Sequence, residues 1–146
     1  MDVDILSEVV INRPQAEVSA YVSDPTNVPE WYINVKSVEW QTSLPLREGS
    51  EIAFAAYFLG RHLDYIYDVV ELLPNEKLVM QTSEGPFKME TTYTWETTSN
   101  GNTRMTLRNR GTLNGFSAWV TPFITLAMRN ANLQDLAQLK QVLEKQ

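Results

Sequence analysis

The chain has 146 residues, a length that suits one domain with one core, predicted over residues 1–146. It carries 18 acidic and 12 basic residues, and its net charge of −6 disfavours the basic surface that nucleic-acid binding needs. The lack of cysteine excludes disulfides and thiolate chemistry, and with a single histidine we expect no transition-metal site and predict no cofactor.

The start of the sequence and its apolar runs bear on where the protein works. The residues after Met1, Asp2-Val3-Asp4, are acidic and lack the pattern of a signal peptide. No apolar run approaches the roughly 20 residues of a membrane-spanning helix. We therefore predict a cytoplasmic protein without stable membrane insertion.

The first elements in chain order are a β-rich segment at 4–11 and a short helix. Pro14 suits the first turn of that helix, because its missing N–H would be unbonded there in any case. Asp24-Pro25 breaks the helix, and a second short helix or turn follows around residues 28–32. Further strands are predicted at 35–42 and 77–83, and as two hairpins over 51–70 and 87–113.

The register of the first hairpin depends on its turn. Gly60-Arg61 is a two-residue turn candidate, because glycine at the first central position suits a type II′ turn. This turn would pair Phe54 with Tyr67. Since side chains alternate across a strand, one face would then gather Ile52, Phe54, Ala56, Phe58, Leu63, Tyr65, Tyr67 and Val69.

The second hairpin is predicted to turn at residues 100–102, where Gly101 supplies the positive φ of a three-residue loop. Trp95 would then face Leu107. A register one residue tighter would turn the whole apolar set to the wrong side of the sheet. The inner face would carry Met89, Thr91, Tyr93, Trp95, Leu107, Asn109, Gly111 and Leu113.

Asn109 is the sharpest single residue on that inner face. A buried amide needs hydrogen-bond partners, which could be backbone groups, water or a ligand. Gly111 beside it would leave room for a ligand or for a helix.

The segment from Ser117 to Glu144 contains no glycine and a single proline, Pro122, which indicates a long helix. Its two halves carry apolar faces that point in different directions, so a bend or a break is predicted near Pro122 or around residues 130–132. The order of elements predicts an α+β fold. A curved seven-stranded antiparallel sheet would wrap around this long C-terminal helix, with two short helices between strands 1 and 2.

One helix cannot fill the concave side of such a sheet, so a cavity is predicted between them. Ligand pockets are mostly apolar with a few polar groups, and the inner faces have this composition. The tyrosines could instead be core residues whose hydroxyls reach water at the rim. The predicted ligand-binding residues are Phe54, Phe58, Tyr65, Tyr67, Met89, Thr91, Tyr93, Trp95, Asn109, Trp119 and Phe123.

Five segments spread over nearly the whole chain carry a family resemblance: 12–18 (NRPQAEV), 23–31 (SDPTNVPEW), 48–50 (EGS), 70–78 (VELLPNEKL) and 136–144 (LAQLKQVLE). In this order and spacing they resemble the START-related helix-grip superfamily, also called SRPBCC. The closest likeness is to the polyketide cyclase/dehydrase family of small bacterial proteins. The resemblance implies the helix-grip fold, whose members bind lipids, hormones, quinones or polyketides, or have no assigned role.

The enzymes of that family place charged side chains, often arginine with tyrosine or histidine, inside the cavity. Here His62, with Asp64 beside it, falls on the outer face of the first hairpin. The outer face of the second hairpin takes Arg104, Arg108 and Arg110. The inner face is neutral by this assignment, which favours a binding protein over an enzyme.

The sequence therefore predicts a protein that binds a small hydrophobic or aromatic molecule between the curved sheet and the C-terminal helix. The alternative is an enzyme of polyketide cyclase, aromatase or dehydratase type, using cavity tyrosines and Asn109. A third alternative is an interaction protein whose core is filled. Catalytic residues, ligand identity and whether the chain forms a homodimer are left open.

Overall fold

A computed structural model describes residues 2–113 and 120–146, without the side chain of Thr121. The predicted α+β fold with seven strands, two short helices after the first strand and a long final helix is confirmed. A 3-10 helix, Pro25–Asn27, lies between the two short helices. The strands and α-helices are β1 (Asp2–Ile11), α1 (Gln15–Val22), α2 (Val28–Trp31), β2 (Val35–Trp40), β3 (Glu51–Phe58), β4 (Arg61–Leu73), β5 (Lys77–Glu84), β6 (Phe87–Thr97), β7 (Thr103–Leu113) and α3 (Thr121–Glu144).

The seven strands form one antiparallel sheet in the order β1-β7-β6-β5-β4-β3-β2. Consecutive strands pair as hairpins from β2 to β7, and β1 closes the other edge by pairing with β7. Burial alternates along β1, β3 and β6, as in β3, where Ile52, Phe54 and Ala56 are buried between more exposed neighbours. This period of two places the apolar side chains on the concave face, toward α3.

Helix α3 packs with its C-terminal half against the sheet. Leu136, Leu139 and Leu143 are almost fully buried there. The end of the helix is fixed to the start of the chain, since a carboxylate oxygen of Glu144 accepts a hydrogen bond from the backbone N–H of Asn12 at 2.9 Å. These contacts close the core at one end of the sheet. Within the described ranges, no helix has the length and apolar character to cross a membrane.

Both predicted hairpin registers are wrong by two residues. In the first hairpin the turn is Leu59-Gly60, with φ of 51° and 76°, so Phe54 pairs with Tyr65. Positive φ at both central residues is the type I′ geometry that matches the twist of a hairpin, and here a leucine adopts it at the first position. A shift of two keeps every side chain on its predicted face, so the aromatic face survives the correction.

The second hairpin shows the same offset. Trp95 pairs with Met105, and Asn109 lies opposite Thr91. The loop is Ser99 to Gly101, because the N–H of Thr98 already bonds the carbonyl of Asn102 at 2.8 Å. The register one residue tighter, which the sequence argued against, does not occur.

Helix α3 is continuous from Thr121 to Glu144, so the predicted break is wrong. Pro122 lies in the first turn, where its missing N–H removes no helical hydrogen bond. The apolar face of the first half needs no bend to bury it, because Phe123 and Leu126 of that half are largely exposed. Leu136, Leu139 and Leu143 of the second face are packed in the core, and Ile124 of the first half is buried as well.

Candidate functional site

A cavity of about 170 Å³ lies between the concave face of the sheet and the first half of α3. Strands β3 to β7 supply one wall, and α2 with the segment that follows it supplies a second. Met128, Ala131, Asn132 and Asp135 of α3 complete the lining. Most of the lining is apolar, and the polar groups come from a few hydroxyl, amide and carboxyl side chains.

Eight of the eleven predicted site residues line this cavity, although their binding role stays a prediction. They come from β3, β4, β6 and β7, whose inner faces the sequence had identified. Tyr93 and Thr91 are nearly inaccessible to solvent. The eight are Phe54, Phe58, Tyr65, Tyr67, Met89, Thr91, Tyr93 and Asn109.

Two other predicted residues, Trp95 and Phe123, do not line the cavity. Trp95 is buried one step further along β6 and packs beside Tyr93, with ring centroids 6.3 Å apart, in the core below the cavity. Phe123, in the first turn of α3, is 69% exposed. Trp119 lies outside the described residues.

Aromatic rings form the sheet side of the cavity. Tyr65 is at their centre, stacked on Phe54 at 5.5 Å and edge-on to Tyr67 at 5.4 Å between ring centroids. Phe87 lies 5.1 Å from the Tyr65 ring on the other side. Such tilted and offset pairs are favourable beyond the area they bury, so they stabilise this wall.

A chain of hydrogen bonds links the sheet to α3 through the cavity wall. The Tyr67 hydroxyl lies 2.7 Å from Thr91 Oγ1, which donates to Asn109 Oδ1 at 2.6 Å. Since Thr91 has a single proton and gives it to Asn109, Tyr67 is the donor in the first bond. Asn109 Nδ2 then donates to Asn132 Oδ1 at 3.2 Å. The partners expected for the Asn109 amide are therefore protein side chains.

The amide of Asn132 is only half satisfied. Its oxygen accepts from Asn109, but its buried Nδ2 has no hydrogen-bond partner within 2–113 and 120–146. Leaving a buried N–H unpaired costs about 1–3 kcal/mol. Because Asn132 lines the cavity, a bound molecule could supply the missing acceptor.

A second pair of hydroxyls lies on the α2 side. The hydroxyl oxygens of Tyr32 and Tyr93 are 2.5 Å apart. Burial raises the pKa of both phenols well above the ordinary value of 10.0. Both side chains are therefore neutral hydrogen-bonding groups at physiological pH.

Among the residues that the structure describes, Asp135 is the one ionisable carboxyl group that lines the cavity, and the sequence had not predicted it. It is 4% exposed, and its Oδ1 accepts a hydrogen bond from the backbone N–H of Ile33 at 3.0 Å. Burial raises the pKa of Asp135 to about 7, against the opposing effect of the Ile33 N–H. No salt bridge to this carboxyl exists in the part of the chain that the structure describes.

Sequence reasoning missed Asn132 and Asp135 because polar residues on a helix usually face water. A usable signal was their spacing. Met128, Asn132, Asp135 and Leu139 follow steps of four, three and four residues, which place them on one side of a helix. Since Leu139 is fully buried, that side is the buried one.

The strand residues that line the cavity are neutral, as predicted, and the charge comes from Asp135 on α3. The outer assignments also agree with the structure. The exposed His62 and Asp64 contact each other at 2.9 Å, away from the cavity. Arg108 pairs with Asp4 through two bonds on the outer face. Among the described residues no group of three or more His, Asp or Glu side chains could hold a metal ion.

Gly111 does not make room for a ligand or a helix, contrary to expectation. A Cβ placed on it would come within 2.0 Å of the carbonyl oxygen of Lys88 and 2.8 Å of Met89 Cα. The glycine is therefore needed for the close approach of β7 to β6.

Fold and cavity together define a helix-grip protein with a cavity between the sheet and the long helix. The model of the family described as polyketide cyclase / dehydrase and lipid transport matches residues 2–144, and the chain belongs to that family. A search of curated proteins gave no significant match.

Solved structures with low sequence identity share the fold over nearly the whole chain. A START superfamily protein from Mycobacterium smegmatis is 14% identical, with 97% of each chain covered and a TM-score of 0.81. The Zhui aromatase/cyclase from Streptomyces sp. R1128 is 12% identical, with 99% of this chain and 95% of that chain covered and a TM-score of 0.80. A protein from Thermus thermophilus is 17% identical, with 95% of both chains covered and a TM-score of 0.82.

Proposed function

We propose that this protein binds a small, mainly apolar or aromatic molecule in the cavity between the sheet and α3. The observation that carries the proposal is the lining: an aromatic wall faces a buried amide with an unpaired N–H. Burial of an apolar ligand surface against that wall would supply affinity, and the few polar groups would orient the ligand. The family's description, which names lipid transport beside cyclase chemistry, supports the same class of ligand.

Binding can be tested by titrating the purified protein with the neutral fluorescent probe N-phenyl-1-naphthylamine, and by native mass spectrometry for a co-purified molecule. Ala131 lines the cavity from α3, whereas Ala137 on the same helix is exposed. Ala131→Trp should fill the space and weaken binding by at least about tenfold, while Ala137→Trp should leave it unchanged. Equal binding by both variants, or no saturable binding to the wild type, would contradict the proposal.

Asp135 favours a second candidate function, an enzyme of cyclase, aromatase or dehydratase type. A carboxyl group with a pKa near neutrality inside an apolar cavity can act as a general acid or base. It lies in the same cavity as the paired hydroxyls of Tyr32 and Tyr93. The test is incubation with a linear poly-β-ketone, whose conversion to an aromatic product is followed by ultraviolet absorbance. If the wild type catalyses this conversion, Asp135→Asn should abolish it and still bind N-phenyl-1-naphthylamine. Unchanged turnover in that variant would exclude this role for Asp135.

A further inference from the structure

Building on the proposed binding function, we propose that Asn132 and Asp135 recognise a hydroxyl group on the ligand, an alcohol or a phenol. The hydroxyl oxygen would accept from Asn132 Nδ2, and the hydroxyl hydrogen would be donated to the Asp135 carboxyl group. The ligand class is thus a hydroxylated aromatic or alicyclic molecule of small size, with its apolar body against the aromatic wall.

The orientation of the Asn132 amide is fixed by its neighbours. Thr91 donates to Asn109 Oδ1, which leaves Asn109 Nδ2 as a donor to Asn132 Oδ1. Asn132 Nδ2 is therefore directed away from this chain of bonds, as a buried donor without a partner among the described residues. Asn132 is 6% exposed, so bulk water does not satisfy this N–H, and an acceptor on a ligand would.

Asp135 supplies the hydrogen-bond acceptor for the ligand hydroxyl. The N–H of Ile33 is the single hydrogen-bond partner of its carboxyl group within 2–113 and 120–146. A carboxylate has capacity for several more donors. Asn132 and Asp135 are three residues apart on α3, so their Cβ atoms are neighbours about 5–6 Å apart on the helix surface. One small group can therefore reach both.

Of the polar groups that a ligand could carry, a hydroxyl matches the hydrogen-bonding needs of Asn132 and Asp135 best. An ammonium group has donors alone and would leave the Asn132 N–H unpaired. A ketone has acceptors alone and could pair with Asp135 only while that carboxyl is protonated. A hydroxyl accepts from Asn132 and donates to Asp135 in either protonation state of the carboxyl group. A hydroxyl therefore satisfies both side chains without carrying a charge.

The cavity volume and the ring cluster limit the apolar body of the ligand. The space of about 170 Å³ suits one or two fused rings better than a long acyl chain. Phe54, Tyr65 and Phe87 offer ring faces and edges to such a body. Naphthalene derivatives are therefore suitable probes, because they keep the apolar body constant while one substituent varies.

The experiment is a calorimetric titration of the wild-type protein with 2-naphthol, naphthalene, 2-naphthaldehyde and 2-(aminomethyl)naphthalene. We expect 2-naphthol to bind at least about tenfold more tightly than naphthalene, and more tightly than the aldehyde or the ammonium compound. In Asn132→Leu and in Asp135→Leu the ratio of 2-naphthol affinity to naphthalene affinity should fall below about threefold. Asn130, exposed on the same helix, gives the matched control: Asn130→Leu should keep the full advantage.

The outcomes separate the two proposals. If naphthalene binds but 2-naphthol gains less than about threefold, the hydroxyl inference is wrong and the binding function stands. A preference for the aldehyde or the ammonium compound also overturns it, as does an advantage of 2-naphthol that survives both substitutions. If no compound of the series binds, both proposals fail. Should Asp135→Leu not fold by near-ultraviolet circular dichroism, Asn132→Leu decides the outcome.

Discussion

The backbone N–H of Ile33 donates to the carboxyl group of Asp135 at 3.0 Å, although the two residues are 102 positions apart in the sequence. This bond joins the segment after α2 to the middle of α3 and closes one side of the cavity. It also fixes one oxygen of a carboxyl group that has been removed from water. Asp135 therefore holds two segments of the chain together, and burial opposes the ionisation of its carboxyl group.

The first prediction concerns stability against pH. The pKa of Asp135 is about 7 in the folded protein and its ordinary value is 3.8, so the folded state holds this proton more tightly. A raised acid pKa gives stability that is complete below the unfolded pKa and falls as pH rises toward the folded one. We expect the wild type to lose roughly 2–3 kcal/mol of unfolding free energy from about pH 5 to about pH 7, relative to Asp135→Asn.

Urea unfolding of both proteins at the two pH values measures this difference. Asparagine keeps an oxygen for the Ile33 N–H, and all other titrating groups are common to both proteins and cancel. Parallel stability profiles would show that Asp135 ionises in the folded state as it does in water.

The second prediction tests the hydrogen-bond chain from the sheet to α3. Thr91→Val keeps the shape of the side chain but removes the hydroxyl that joins Tyr67 to Asn109. Two buried polar groups lose their partner, so the free energy of unfolding should fall by about 2–3 kcal/mol. Thr94 lies on the opposite face of β6 and bonds Thr106. Thr94→Val is the matched control and should cost less than about 1 kcal/mol. Equal losses would contradict an energetic role for the chain.

Much of the architecture follows from the sequence because period-two patterns and turn residues are local signals. The inner faces of β3, β4, β6 and β7 were correct even though both registers were off by two. Register depends on which residues adopt positive φ, and Leu59 is a residue type that rarely does so. A register error of two residues cannot be detected from the faces of the strands, since it leaves every side chain on the same side of the sheet.

The site was less predictable, because two of its polar groups, Asn132 and Asp135, come from a helix. The partners of Asn109 became identifiable only when α3 was placed over the sheet and brought Asn132 within 3.2 Å. Asp135 carries a group that ordinarily faces water, so its spacing to Leu139 on one side of the helix was the one local sign of its burial. Phe123 shows the reverse, an apolar residue of α3 that is left outside.

The third prediction concerns the close approach of β6 and β7. A Cβ at Gly111 would overlap the backbone of Lys88, which cannot move without breaking the pairing of the two strands. Gly111→Ala should therefore reduce stability by about 3 kcal/mol or more, or prevent folding. Gly101, with φ of 80° and open space around it, is the comparison. Gly101→Ala should cost about 1 kcal/mol, from backbone strain alone. Thermal unfolding of both variants measures the contrast, and similar costs would show that β6 and β7 separate easily.

The last prediction is a double-mutant cycle on the hydroxyls of Tyr32 and Tyr93, which are 2.5 Å apart and buried. Each single change to phenylalanine leaves the other hydroxyl without its partner, and should cost about 1–2 kcal/mol. In Tyr32→Phe with Tyr93→Phe no hydroxyl is left unpaired, so the loss should be smaller than the sum of the single losses by about 1 kcal/mol. Urea unfolding of the four proteins gives the coupling energy. Additive losses would mean that each hydroxyl finds another partner, such as water in the cavity, and that the pair is not a fixed part of the polar wall.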